Sequence, residues 1–311
     1  YSTANAYVAD ITPPDERAAR FGLLGAAFGL GFIIGPGIGG LVGEHLGPRA
    51  PFYLVAILAG LNFLFGLFVL PETLAKEKRR PFEWRRANAF GSFRQFAKYP
   101  IMLPISLVVF ISAVAHWTYP SVWAYFAEAQ FGWTPDLIGA SLMFVGLCTA
   151  VVQGGLIRVV IPRLGERATA VTALCIAAAA YAGLALADRG WMVYALIAVS
   201  SLAGLATPAL QGIMSRTMPD NAQGELQGAV GAISSVSMIL GPPLMTQIFA
   251  AFSSPGEPFD IGGLTILPDG APFYFPGAPF AFAVVLEVVA VLVLFYAFRR
   301  IVRSREATVP T

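Results

Sequence analysis

Gly31-Phe32-Ile33-Ile34-Gly35-Pro36-Gly37-Ile38-Gly39-Gly40 carries a Gly-Pro-x-x-Gly-Gly pattern inside a long apolar run. Glycine and proline usually punctuate loops. In a stretch of bilayer length they predict something else: a helix bent at the proline, with a bare face on which a second helix packs close. The pattern has an echo 206 positions later, at Gly241-Pro242. Laying Gly35-Pro36 over Gly241-Pro242 brings Pro13 onto Pro219, Gly22 onto Gly228, Gly25 onto Gly231 and Ala26 onto Ala232. Several matches at one offset predict a parallel repeat, the design of two-halved membrane carriers whose substrate site lies at the midplane between the halves. The second half begins near Pro100. The offset therefore places the start of the first half about a hundred residues before Tyr1, room for roughly three more helices of bilayer length.

Composition points the same way. Apolar residues make up 57% of the chain, charged residues 12%, and the mean hydropathy is +0.69. Soluble domains are about a quarter charged, so lipid must be the solvent for most of this surface. A net charge of +2 does not argue for nucleic acid as a partner. Cys148 and Cys175 both lie in apolar runs and read as small packing residues rather than a disulfide framework.

About 20 apolar residues of helix cross a bilayer core. Runs of that kind cover residues 19–43, 51–71, 101–127, 136–161, 168–187, 191–216, 226–251 and 278–298, and residues 1–10 read as the end of a ninth helix. Of the 20 Lys and Arg, Arg49 and Arg189 fall in one set of connections and all the others in the opposite set. Positive charge stays on the cytoplasmic side, so the richer set, and with it the C-terminus, is cytoplasmic. The basic stretch 72–99 is then a cytoplasmic linker between a first part, 1–71, and a second half, 100–311. Residues 252–277, rich in Pro and Gly, form one long outer loop.

In this order the motifs resemble the major facilitator superfamily, and within it the drug:proton antiporters of the tetracycline-resistance type. Val8-Ala9-Asp10-Ile11-Thr12, Asp15-Glu16-Arg17 and Phe21-Gly22 resemble the end of that family's fourth helix and the loop beyond it. Gly31, Gly35, Pro36, Gly39 and Gly40 are similar to the antiporter signature of its fifth helix, and Leu70-Pro71-Glu72-Thr73 to the exit of its sixth. Phe131-Gly132-Trp133, Gly165-Glu166-Arg167, Arg189-Gly190-Trp191, Pro208-Ala209-Leu210-Gln211-Gly212 and Gln223-Gly224 continue the likeness. Pro162-Arg163-Leu164-Gly165-Glu166-Arg167 resembles a degenerate copy of the family's basic loop motif, with a charge latch as its implied role. The resemblance implies an all-α membrane protein of the major facilitator fold, with helices 4–12 of twelve in this chain. It implies proton-coupled efflux of an amphipathic drug-like compound by alternating access, in a monomer spanning a bacterial inner membrane many times. Other readings are an uptake permease for a small metabolite and a receptor that keeps the fold without transport. Where the tetracycline exporters carry a histidine in helix eight, an aspartate in helix nine and a glutamine in helix seven, this chain has Thr149, the run Ala177–Ala180, and Thr118.

Ionisable groups inside membrane helices are costly and mark function. Glu287 lies eight residues past Pro279, about 12 Å into its helix, and a carboxyl there can take up and release a proton. His116, beside Trp117, Tyr119 and Pro120, can both donate and accept near neutral pH and is a candidate for proton and substrate alike. Gln153, Gln211 and Asn5 are neutral hydrogen-bonding groups suited to substrate contact, and Trp117, Tyr119, Trp123 and Phe126 to an aromatic wall. Asp10, Arg17 and Arg216 sit at cytoplasmic helix ends as a candidate gate, with Arg216 falling on Asp10 under the repeat offset. No nucleophile set, metal-ligand spacing or phosphate-binding loop is present in the sequence, so enzymatic activity, cofactors and direct ATP drive are not expected.

Overall fold

The computed structural model describes residue 11 and residues 17–71, 102–217, 223–261, 264–267 and 270–306. These are almost entirely helical: α1 (Arg17–Leu46), α2 (Ala50–Phe68), α3 (Met102–His116), α4 (Thr118–Phe131), α5 (Pro135–Val151), α6 (Ile157–Ala185), α7 (Gly190–Ser201), α8 (Ala206–Thr217), α9 (Gln223–Ser253) and α10 (Ala278–Glu306). Among the described residues, six helical stretches are long and apolar enough to cross a membrane. Each of the eight apolar runs read from the sequence is occupied by helix; residues 1–10 lie outside the described residues.

One of those stretches, Pro135–Ala185, is 51 residues long, far more than a bilayer needs. It is kinked at Gly165, whose φ of 77° and ψ of 158° leave the helical region. Glycine has no Cβ to forbid that backbone, and the kink falls in the basic loop expected between two spans. Elsewhere in this stretch the helix is locally wider: Val152–Leu156 is a π-helical turn containing Gly154-Gly155. Its counterpart between α7 and α8 is a tightened 3₁₀ turn, Leu202–Leu205.

The segment expected as one span at 101–127 is one membrane-length stretch, Met102–Phe131, with a local irregularity near its middle. α3 ends at His116, Trp117 is the junction with ψ near −10°, and α4 starts at Thr118. Pro120 is the cause: it has no N–H to give the carbonyl four residues back, which belongs to His116. By contrast α9 runs unbroken through Pro242 and Pro243. There Thr246 Oγ1 donates to the Pro242 and Pro243 carbonyls at 2.8 and 3.1 Å.

An all-α chain is the expectation, and helix dominates. The connection between α9 and α10 adds a short antiparallel hairpin, β1 (Phe259–Ile261) with β2 (Leu264–Leu267). Gly262-Gly263 between apolar residues is the local signal for such a hairpin.

The chain forms two compact units, residues 1–87 with 134–147, and residues 88–133 with 148–311. In the larger unit α10 packs against α3 and α6. The buried face of α6 is built from Ala170, Ala173, Ala177, Ala180 and Ala185. Between helices already in lipid there is no water to expel, so small side chains that permit close backbone approach drive packing. Met102, Ile105, Leu174, Leu210 and Met214 fill the space between α3, α6 and α8.

Candidate functional site

In the smaller unit the antiporter-like helix α1 crosses α5 in antiparallel sense. A Cβ added to Gly40 would stand 2.6 Å from the Pro135 carbonyl oxygen and 3.0 Å from Gly139 Cα. One on Gly139 would stand 2.6 Å from the Pro36 carbonyl oxygen, and one on Gly146 2.8 Å from Ile33 Cγ1. Gly37 faces the Met143 thioether. The bare face predicted for this helix is therefore the edge carrying Gly37 and Gly40. Gly31, Gly35 and Gly39 lie on another face, where a Cβ meets no described atom within 4 Å. The sequence reading missed Gly139, Met143 and Gly146, whose 3–4 residue spacing on α5 is the complementary signal.

In the larger unit Glu287 is 3% exposed, on the face of α10 that packs on α3 and α6. Ser112 Oγ donates to its Oε2 at 3.1 Å. Beside it lies an aromatic cluster. Tyr119 sits 5.3 Å from Trp123, 6.0 Å from Tyr181 and 5.7 Å from Phe280, ring centre to ring centre, and its hydroxyl pairs with Ser200 Oγ at 3.3 Å. Phe280 continues the cluster to Phe126 at 4.8 Å. Trp123 and Phe126 are buried at 2% and 0% exposure, their rings packed against other rings of the unit. Tyr119 and Trp117 are half-buried, and His116 is exposed. Thr118, in place of the glutamine, is fully buried with its hydroxyl unpartnered.

Trp117 has a specific seat. A Cβ on Gly241 would stand 2.6 Å from Trp117 Cβ and 2.7 Å from its Cγ. The echo of the opening motif is thus a socket for the residue at the junction of α3 and α4.

Gln153 is exposed on the π-helical turn, and its Nε2 lies 3.8 Å from where a Cβ on Gly204 would be, in the 3₁₀ turn. Non-α turns of this kind inside helices recur at functional sites. Gln211 is half-buried on α8. At the end of α8, Arg216 pairs with Glu166 at 3.1 Å, and the neighbouring Arg167 guanidinium stands 5.4 Å from the centre of the Phe298 ring on α10. Asn5 and Asp10 lie outside the described residues; α1 begins at Arg17, whose side chain is not described. The partner described for Arg216 is therefore Glu166, from the loop of the degenerate basic motif.

Arg216 is 79% exposed, so water screens the pair. Arg216→Ala is expected to cost less than about 1 kcal/mol. Gly212→Ala should act through the same pair, because its Cβ would stand 2.5 Å from Glu166 Oε1, the mobile end of a side chain that can swing away. Thermal unfolding of both single variants and the double should show small, non-additive losses.

The sequence profile of the Major Facilitator Superfamily matches residues 1–242 and also residues 105–310. The chain belongs to the Major Facilitator Superfamily. The overlap of the two matches is what an internal repeat produces. Among curated relatives of this facilitator protein are the class C tetracycline resistance protein of Escherichia coli, 37% identical over 81% of this chain and 63% of the relative. The class B protein of Escherichia coli is 33% identical over 80% of this chain and 61% of the relative. The chain thus spans a little over three fifths of these relatives' length. Among solved structures, a bacterial homolog of the human lysosomal transporter Spinster, inward-facing and unoccupied, matches with a TM-score of 0.65 at 17% identity, covering 95% of this chain and 74% of that one. That likeness concerns the fold: a multi-pass helical membrane protein of the facilitator type.

Proposed function

We propose that this facilitator protein exports an amphipathic drug-like compound in exchange for protons, by alternating access of two helical halves, 1–71 and 100–311, joined by the linker 72–99. The observation that carries export is the 37% identity to a protein named for tetracycline resistance. Proton exchange rests on Glu287, a carboxyl almost wholly enclosed in a membrane helix bundle, together with His116. Substrate contacts are assigned to Gln153, Gln211, Asn5, Trp117, Tyr119 and His116. The exposed amide of Gln153 on its π-helical turn supports that assignment. Gly31, Gly35, Pro36, Gly39 and Gly40 serve as the antiporter motif, and Asp10, Arg17 and Arg216 as the cytoplasmic gate. The working form is a monomer in a bacterial inner membrane with its C-terminus in the cytoplasm.

The test is drug accumulation in cells expressing the whole transporter, with and without an uncoupler. Dissipating the proton gradient is expected to raise accumulation to the level of cells lacking the protein. Glu287→Gln is expected to do the same without an uncoupler. Export that persists unchanged in both would refute the proposal.

A further inference from the structure

Three polar groups of the larger unit lie in series. His116 is exposed, Ser112 is half-buried, and Glu287 is 3% exposed. Ser112 and His116 are four residues apart in the last turn of α3, a spacing that puts both side chains on one face with Cβ atoms about 5–6 Å apart. Ser112 also touches Glu287, its Oγ donating to Oε2 at 3.1 Å. From the other elements packed around this position, Tyr181 of α6 and Tyr119 of α4 are the titratable neighbours, joined to each other and to Phe280 of α10 by ring contacts. The Tyr119 hydroxyl is engaged with Ser200. The membrane-length part of α9 carries no titratable side chain.

We propose that Ser112 is the proton bridge of this transporter, passing a proton between exposed His116 and buried Glu287. The inference rests on the proton-coupled reading above and names the route by which the coupling proton reaches its carboxyl. A protonated His116 releases its N–H proton toward Ser112 Oγ, directly or across one water. Ser112 gives its own hydroxyl proton to Glu287 Oε2. One N–H and one O–H bond break, two O–H bonds form, and imidazolium plus carboxylate become imidazole plus carboxylic acid, with the serine restored. Glu287 is enclosed by helices and needs a relay of this kind; the His116 side chain, which keeps accessible surface, is the group that hands the proton on. Ser112 is a positioning and relay residue, since it need not touch substrate.

The experiment follows the carboxyl band of Glu287 by infrared spectroscopy after a pH jump, in the whole transporter reconstituted in liposomes, with protons as the only added ligand. Glu287→Gln identifies the band by its loss. Ser112→Ala is expected to slow the protonation of Glu287 by about a hundredfold, the scale of a lost positioned proton-transfer group. Ser112→Thr, which keeps the hydroxyl, is expected to restore a rate near that of the parent protein. A purely structural serine would shift the band or its midpoint and leave the rate alone. A Glu287 band that protonates at the parent rate in Ser112→Ala overturns the relay while leaving Glu287 as the coupling group. Proton movement that survives Glu287→Gln refutes the coupling reading itself. Should Ser112→Ala fail to fold, His116→Gln tests the same route from its exposed end, and an unchanged rate there overturns it equally.

Discussion

Gly139→Ala is expected to unfold the smaller unit's helix crossing and abolish transport, although it adds a single methyl group. That methyl would stand 2.6 Å from the Pro36 carbonyl oxygen and 3.0 Å from Gly40 Cα. Both obstacles are backbone, held by two membrane-length helices, and neither can move aside without separating α1 from α5. Overpacking of this kind costs about 3 kcal/mol, the top of the usual range. Gly40→Ala is expected to match it, since its Cβ meets the Pro135 carbonyl oxygen at 2.6 Å. Gly37→Ala is the contrasting case. Its obstacle is the thioether of Met143, a flexible side chain that can repack. Gly35→Ala, with nothing within 4 Å, should be tolerated in this crossing. Thermal unfolding of the purified variants in detergent ranks the four. If Gly139→Ala melts with Gly35→Ala, the crossing does not hold the motif helix.

The second large effect is expected at Gly241. Its Cβ would overlap Trp117 Cβ, Cγ and Cδ1, at 2.6, 2.7 and 2.8 Å. Those atoms sit next to the Trp117 backbone, at the junction of α3 and α4, so the strain cannot be relieved by rotating a distant group. Gly241→Ala should cost about 2–3 kcal/mol and shift the junction of α3 and α4 against α9. Removing the opposing side chain removes the clash. In a Trp117→Gly background, Gly241→Ala should cost less than about 0.5 kcal/mol, and the difference is the coupling energy of the cycle. Equal costs in the two backgrounds would show that Gly241 matters for its own helix and not for Trp117.

Much of the architecture was legible without coordinates, and the reason is the bilayer. Lipid demands helices of a minimum length that satisfy their own backbone, so apolar run length alone found where helix falls, though not the junctions between α3 and α4 or between α7 and α8. Charge asymmetry and the Gly-Pro repeat added an expected orientation and an expected pairing of halves. Particular residues were less legible. Trp123 and Phe126 read as a candidate wall and are packed inside the unit. Arg216 meets Glu166, a contact the repeat does not suggest, while Asp10, its partner by repeat position, lies outside the described residues. Ser112 carries no signal beyond being a serine in an apolar run, four residues before a histidine.

The sequence by itself determined that this is a helical membrane chain, where its spans fall, and that Gly-Pro pairs lie inside two of them. Those features follow from solvent, length and backbone chemistry, which are local. Only the tertiary structure decided what each glycine is for. Gly40 admits the backbone of α5, Gly241 admits Trp117, and Gly31, Gly35 and Gly39, in the same motif, meet nothing described. A bare glycine face looks the same in sequence whichever neighbour fills it. Likewise, Glu287 was visible as a carboxyl in a membrane helix, but its bond to Ser112 spans 175 positions of sequence, and contact at that separation is set by how helices cross.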